Sequence, residues 1–320
     1  MHNQSTTGGR EAYNAAVHTI AVINQKGGVG KTTTVANLGA ALAAKGKHVC
    51  LMDLDPQAHL TLTLGVEPGD GPGMYELLTG SAALGDAARD VRKNLTVVPS
   101  SIDLAAAEVE LVSTVGREQI LRDHLLKCER QYDIVMIDCP PSLGLLTLNA
   151  LCAVQDVMIP LQPHFLALQG LGKLLETVSL VQKRINPSLK VRGIVLCMYE
   201  TGTRLAGEVV ADLEAFLSQS RGTAQPWSDA RILSAVIRRN VKLAECPSHG
   251  QTIFDYEPSS NGAQDYAALA GEFLNIFAPP PPPDAPAADN AGMAPSAEPH
   301  QAIQQQGVSD SSPCAHNQQA

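Results

Sequence analysis

Short apolar runs rich in β-branched residues alternate along this chain with longer segments rich in alanine and leucine. Several runs are apolar at successive positions instead of alternate ones, which is typical of strands buried on both faces of a parallel sheet. The runs predict seven strands: HTIAVIN, KHVCLMD, LTVVPS, DIVMID, DVMIPL, VRGIVLCM and ILSAVI.

The Ala- and Leu-rich segments between these runs predict helices, the first of which ends directly before a glycine. The predicted helices cover residues 31–45, 104–130, 170–185, 205–219 and 263–277. Regular alternation of strand and helix predicts an α/β fold, with a doubly wound, mostly parallel sheet flanked by helices.

The two ends of the chain lack this pattern. Residues 1–17 are polar and without convincing periodicity, so we expect a flexible N-terminal lead-in. From residue 278 the chain is rich in Pro, Ala and Gln and has almost nothing to bury, so we expect a disordered tail over 278–320. The sequence therefore predicts one folded domain, which covers residues 18–277.

The composition is that of a soluble globular protein, with 44% hydrophobic and 17% charged residues. No apolar run reaches the ~18 residues that a membrane span needs, and the start of the chain does not have the pattern of a secretory signal. The seven cysteines are scattered singly, which indicates neither a zinc site nor a disulfide framework. We therefore expect a cytoplasmic protein without membrane contact.

The segment KGGVGKTT, residues 26–33, lies between the first predicted strand and the first predicted helix. In this context a glycine-rich loop lets backbone N–H groups converge on an anion at the positive end of the helix. Lys31 is expected to reach the β- and γ-phosphates of a nucleotide, and the Thr32 hydroxyl to bind Mg²⁺. The predicted nucleotide-binding residues are Lys26, Gly27, Gly28, Val29, Gly30, Lys31, Thr32 and Thr33.

The loop departs from the strict form G-x-x-x-x-G-K-[ST], because Gln25 occupies the first glycine position, and it carries a second lysine, Lys26. The loop resembles that of the deviant Walker A ATPases, and within them the ParA/Soj family of chromosome and plasmid partition proteins. In that family the extra lysine reaches across an ATP sandwich dimer to the phosphates bound by the partner. The resemblance implies ATP and Mg²⁺ as cofactors, ATP hydrolysis, a homodimer that forms with ATP, and a catalytic role for Lys26. Without the resemblance, the sequence is also compatible with Lys26 as a lysine of the loop that contacts only solvent.

Three later segments extend the resemblance over residues 18–277. DLDPQ follows the second predicted strand, and YDIVMIDCPPS contains the fourth. By resemblance, Asp55 acts in hydrolysis, Asp53 lies near the metal, and Asp138 holds the Mg²⁺ shell. The segment RNVKLAECPSHG is also typical of the family, where it lies near the adenine, but Arg238 precedes it where relatives usually have proline.

The formal net charge of −9 argues against a global attraction to nucleic acid, so any DNA contact has to come from a local basic patch. ParA/Soj dimers bind DNA without sequence preference through basic residues on the face away from the nucleotide. The resemblance and the cluster of cations within 231–242 predict DNA contacts by Arg204, Arg238, Arg239 and Lys242. A solvated basic face is the alternative explanation of these residues.

The resemblance implies a nucleoid-associated protein that segregates DNA, with hydrolysis stimulated by a ParB-type centromere-binding partner. A ParA-like ATPase that positions a protein cargo is an open alternative, because it shares the ATPase cycle. A MinD-like membrane-associated ATPase would end in a basic amphipathic helix, which the Pro- and Gln-rich tail does not offer. The segment RNVKLAECPSHG disfavours a metabolic ligase, and the lack of an N-K-x-D motif disfavours a GTPase.

Overall fold

The computed structural model describes residues 17–128, 132–164, 167–200 and 202–277. The predicted tail, and all but the last residue of the predicted lead-in, lie outside these residues. Every described residue belongs to one unit of the chain, Met1–Pro279.

A single sheet forms the centre of the described part of the chain. Its strands are β1 (His18–Val22), β2 (Val49–Asp53), β3 (Arg89–Arg92), β4 (Leu95–Val98), β5 (Ile134–Asp138), β6 (Asp156–Leu161), β7 (Lys190–Tyr199), β8 (Arg231–Ile232) and β9 (Ile237–Arg238). The order is β3-β4-β2-β5-β1-β6-β7-β8, and β9 pairs with β7 beyond the end of β8. All neighbours are parallel except β3 and β4. The predicted α/β fold with a mostly parallel sheet is confirmed.

Helices flank the sheet. They are α1 (Lys31–Ala44), α2 (His59–Thr63), α3 (Met74–Thr79), α4 (Leu84–Ala87), α5 (Leu104–Glu110), α6 (Ile120–Leu126), α7 (Leu145–Ala153), α8 (Ala167–Arg184), α9 (Arg204–Ser220), α10 (Val241–Glu245), α11 (Ile253–Tyr256) and α12 (Asn261–Phe277). None of these described helices is both long and apolar enough to cross a membrane.

Two apolar clusters cover the faces of the sheet. Successive side chains of a strand point to opposite faces, so Ala21 of β1 belongs to one cluster and Ile20 to the other. Leu174 of α8 packs in the first cluster and Phe273 of α12 in the second. Burial on both faces explains why the strands read as continuous apolar runs.

The predicted strand ILSAVI is wrong as a single element, because the structure divides it into β8 and β9. Between them, the backbone N–H groups of Ser234 and Ala235 both donate to the carboxylate of Glu272 on α12. These bonds take the connecting residues away from the strand ladder.

The predicted helix over 104–130 is also wrong over the part that the structure describes, which reaches residue 128. Helix α5 ends at Glu110 and α6 begins at Ile120, with two short 3₁₀ turns between them, Leu111–Ser113 and Arg117–Gln119. Gly116 has a φ of 74°, which is incompatible with a continuous right-handed helix.

Candidate functional site

The carboxyl ends of the central strands bring three functional segments together. In the strand register, Asp138 of β5 lies beside Val22 of β1 on one side and beside Asp53 of β2 on the other. The glycine-rich loop follows β1, the segment DLDPQ begins at the end of β2, and the pair Pro140–Pro141 follows β5. In open parallel sheets, ligands bind beyond the carboxyl ends of the strands.

Two glycines with positive φ shape the loop before α1, namely Gly28 with 72° and Gly30 with 94°. A Cβ at Gly30 would lie 3.6 Å from Cys197 of β7, whereas a Cβ at Gly27 would meet no atom within 4 Å. Val29 is buried and anchors the loop. The loop is therefore backed by β7 on one side and open on the other, where an anion has access to its N–H groups.

Lys31 is the first residue of α1 and is only 7% exposed. Burial lowers the pKa of its ammonium, and the nearby carboxylates of Asp138 and Asp55 oppose that shift. The Lys31 Nζ donates a long hydrogen bond, 3.5 Å, to the backbone carbonyl of Lys26. A bound phosphate would stabilise this buried charge, so Lys31 is well placed to bind one.

Asp138 is a buried carboxylate for which neither oxygen accepts a hydrogen bond within the described residues. Burial raises its pKa well above the ordinary value and Asp53 raises it further, while the Thr32 hydroxyl and Lys31 lower it. The Thr32 hydroxyl is thus close enough to affect Asp138 without making a hydrogen bond of normal geometry. A divalent cation would neutralise this charge, and carboxylate and hydroxyl oxygens suit Mg²⁺. The residues present therefore fit a Mg²⁺ site.

Asp53 is equally buried, but its oxygens have donors. Oδ2 accepts hydrogen bonds from the N–H and the hydroxyl of Thr61, at 2.8 and 2.7 Å, and Oδ1 accepts one from the N–H of Asp55 at 3.2 Å. Burial raises the pKa of Asp53 to about 6, and these hydrogen bonds act in the opposite direction. Asp53 fixes the loop that carries Asp55, and its place near the metal stays a prediction.

Lys26 is exposed and is not part of the cavity wall that Lys31 helps to form. Its Nζ lies 2.5 Å from Nε2 of His164, in the segment after β6. Partial burial, and then the Lys26 charge, lower the pKa of His164. The imidazole is therefore neutral near pH 7 and accepts the hydrogen bond from the ammonium. The second lysine of the loop therefore lies outside the wall of its own nucleotide cavity.

A cavity of about 640 Å³ extends from the glycine-rich loop to β9 and α10, a size suited to a nucleotide. Gly27, Gly28, Lys31, Thr32, Thr33 and Asp55 line the phosphate end, and Ile237, Arg238, Asn240 and Leu243 line the other. Sequence reasoning missed several lining residues, among them Cys197, Met198 and Tyr266. They lie far from the glycine-rich loop in sequence and belong to no motif. The φ of 49° at Met198 is the one local peculiarity among them.

Each of the four predicted DNA contacts has an acidic partner within 3.1 Å: Arg204 with Glu208, Arg238 with Asp265, Arg239 with Glu200, and Lys242 with Glu245. Asp265 accepts from both the side chain and the backbone N–H of Arg238. Arg238 and Arg239 also line the nucleotide cavity, which differs from the expected position on the face away from the nucleotide. DNA binding by the four residues stays a prediction.

The cations within 231–242 do not form one cluster. Arg231 pairs with Gly193 near the start of β7, whereas Arg238 pairs with Tyr199 at its end. Six residues of strand separate these positions, which is about 20 Å.

A glycine-rich loop after a central parallel strand, a buried lysine at the helix start and a buried carboxylate on the adjacent strand together define a P-loop ATPase. A family model described as an AAA domain matches residues 17–191. The chain is 45% identical over 255 residues to the sporulation initiation inhibitor protein Soj of Bacillus subtilis, covering 79% of this chain and 96% of Soj. It is 44% identical over 257 residues to the chromosome-partitioning ATPase Soj of Treponema pallidum, covering 80% and 96%.

Among solved structures, the fold is similar to that of cobyrinic acid a,c-diamide synthase from Mycobacterium smegmatis with bound ATP analogue and magnesium. The sequences are 38% identical, the TM-score is 0.68, and the match covers 81% of this chain and 95% of that one. Because of its 44–45% identity to the two Soj relatives, this chain belongs to the ParA/Soj family of chromosome-partitioning ATPases.

Proposed function

We propose that this protein binds ATP and Mg²⁺ in the cavity, pairs with a second copy across the bound nucleotides, and holds DNA without sequence preference until hydrolysis releases it. A ParB-type centromere-binding protein is the proposed activator, and nucleoid association would follow from DNA binding. The partition relatives support this role, and the ATP analogue and magnesium in the Mycobacterium structure support the cofactors.

The chemistry of the cavity supports ATP hydrolysis. Lys31 and the loop N–H groups would hold the phosphates, and Asp138 and Thr32 would hold Mg²⁺, which supplies neutralising charge at the phosphate oxygens. Asp55 is half-buried in the cavity wall, where its carboxylate would orient the attacking water.

The position of Lys26 is the observation that carries the proposed pairing. Two faces loaded with triphosphate repel each other, and one cation from each subunit reduces that repulsion. Lys26 is exposed, lies outside its own cavity and is held by a neutral imidazole instead of a carboxylate. Its charge therefore remains available for an anion bound by a second subunit.

Replacement of Asp55 with alanine is expected to trap the ATP-bound dimer. Gly27 to Thr33 and Asp138 are unchanged, so ATP binding should persist, while loss of the water-orienting carboxylate slows hydrolysis by about 100-fold or more. Phosphate release over time, with dimer lifetime followed by light scattering, checks this result. Rapid turnover in Asp55→Ala would exclude the assigned role and direct attention to Asp53.

Replacement of Arg239 and Lys242 together by glutamate is expected to abolish DNA binding. With about four phosphate contacts per dimer, wild-type affinity should fall roughly 100-fold from 50 to 200 mM salt. Fluorescence anisotropy on duplexes of unrelated sequence measures both effects. Unchanged binding by the double variant would mean that these residues are not the DNA contacts.

The ion pairs of the predicted DNA contacts favour one alternative, a ParA-like ATPase that positions a protein cargo. An arginine held by glutamate has less charge to offer to a phosphate backbone than a free one. A wild-type ATP dimer that ignores duplex DNA at low salt would support this alternative against DNA segregation.

A further inference from the structure

A second cavity lies near the amino end of β7, whereas the nucleotide site lies at the carboxyl ends of the strands. Its volume is about 250 Å³, and its walls are formed by Arg192, Arg221, Asp229, Arg231, Asn275 and Ile276. Arg192 is near the start of β7 and Met198, in the nucleotide cavity, near its end, so roughly 20 Å of strand separates the two sites. The two cavities share no lining residue.

Three guanidinium groups and only one carboxylate line this second cavity. Arg192 is held in place by buried Asp156, with 2.8 Å between Nε and Oδ1. Asp229, the single acidic residue of the wall, lies 3.5 Å from Lys190. Within the described parts of the chain, no carboxylate forms an ion pair with Arg221 or Arg231. These two arginines therefore differ from the four predicted DNA contacts, all of which are paired.

Each of these two arginines has a local explanation, but neither explanation accounts for the three guanidinium groups together. Arg221 directly follows the C-terminus of α9, where a cation is favourable, and Arg231 lies on a strand at the edge of the sheet, where charge discourages aggregation. Neither the helix end nor the edge strand requires Arg221 and Arg231 to line the same cavity as Arg192, which Asp156 holds in place. Like charges in one cavity repel each other, and a bound anion relieves the repulsion.

We propose that this cavity binds a phosphoryl group. The planar fork of an arginine matches two phosphate oxygens, and the Asn275 amide adds a neutral donor. The volume is below the range of about 300–1,000 Å³ that is usual for drug-sized ligands, so a single phosphate or sugar phosphate fits better than a whole nucleotide. The phosphoryl group comes either from free phosphate or from a nucleic-acid backbone.

The first arm of the test uses inorganic phosphate and the full chain with Lys31→Ala, which removes the cation of the phosphate loop. Isothermal titration calorimetry is compared before and after the further changes Arg221→Ala and Arg231→Ala. Loss of two charged donors is expected to weaken phosphate binding at least about tenfold. The matched control is Lys183→Ala with Arg184→Ala, which removes two charges from the exposed end of α8 and should leave binding unchanged.

The second arm uses duplex DNA and the chain with Lys31 intact, in the presence of ATP. This arm rests on the proposed DNA binding, whereas the phosphate arm does not. If the occupant is a nucleic-acid backbone, Arg221→Ala with Arg231→Ala lowers the slope of log affinity against log salt by about 0.9 for each DNA phosphate that the variant no longer neutralises. If the phosphate arm alone responds, the occupant is free phosphate.

A wild-type chain that ignores DNA in every condition contradicts the proposed function but leaves the phosphate arm decisive for the cavity. The proposal is overturned if the arginine double variant equals the control double variant in both arms. Melting temperature and ATP affinity, measured with Lys31 intact, should be the same for both double variants because all four side chains are exposed.

Discussion

Replacement of Lys31 with alanine is expected to lower the affinity for ATP by at least about 30-fold, since truncating one partner of a buried charge pair costs about 2–5 kcal/mol. Lys31 is a buried cation at the phosphate end of the cavity and also lies close to the buried carboxylate of Asp138. Without it, the proposed Mg²⁺ alone would offset the repulsion between the bound phosphates and the nearby carboxylates of Asp138 and Asp55. Calorimetric titration with a non-hydrolysable ATP analogue and Mg²⁺ measures the loss.

The matched control for this experiment is Lys45→Ala, which removes the same charge at the exposed end of the same helix. Burial already disfavours the charged form of Lys31, so its removal should not unfold the protein without nucleotide. Melting curves of the nucleotide-free variants check that point. ATP affinity of Lys31→Ala within threefold of the control would contradict the assigned role.

Replacement of Lys26 with alanine is expected to remove the ATP-dependent dimer while leaving ATP binding by the monomer within about threefold. The side chain lies outside its own cavity, so the phosphates of the same subunit lose little. The repulsion between two triphosphate-loaded faces is then uncompensated, and it is strong where water is excluded. Size-exclusion chromatography with ATP distinguishes monomer from dimer.

Gly27→Val gives an independent check on the same interface. A Cβ at Gly27 meets no atom within 4 Å of its own subunit, so this variant should fold and bind ATP. A branched side chain would nevertheless intrude between two loops that face each other, and pairing should fail. If both Lys26→Ala and Gly27→Val dimerise like the wild type, the loops do not meet across a nucleotide.

The sequence predicted the sheet well and located the glycine-rich loop between β1 and α1, because both depend on local patterns. Continuous apolar runs identify strands that are buried on both faces, and the glycines, Lys31 and Thr32 all lie within residues 27–32. The strand register then places Asp53 and Asp138 side by side. A parallel sheet brings the ends of its neighbouring strands together however far apart they are in sequence.

The sequence failed where a distant side chain decides the outcome. Glu272 of α12 divides the predicted strand ILSAVI by accepting hydrogen bonds from its backbone. In the same way, the cations within 231–242 read as one basic patch, but Asp265 and Glu200 pair with two of them from remote segments. The sequence shows how many charges a segment carries, but it does not show which of them form ion pairs in the fold.

Sedimentation velocity of the wild-type chain with a duplex of unrelated sequence, at low salt, tests the central claim most directly. With Mg²⁺ and ATP we expect a dimer that sediments together with the DNA, and with Mg²⁺ and ADP a monomer that leaves the DNA free. If the protein sediments as a monomer with ATP as well as with ADP, and the DNA sediments alone in both conditions, the account is contradicted.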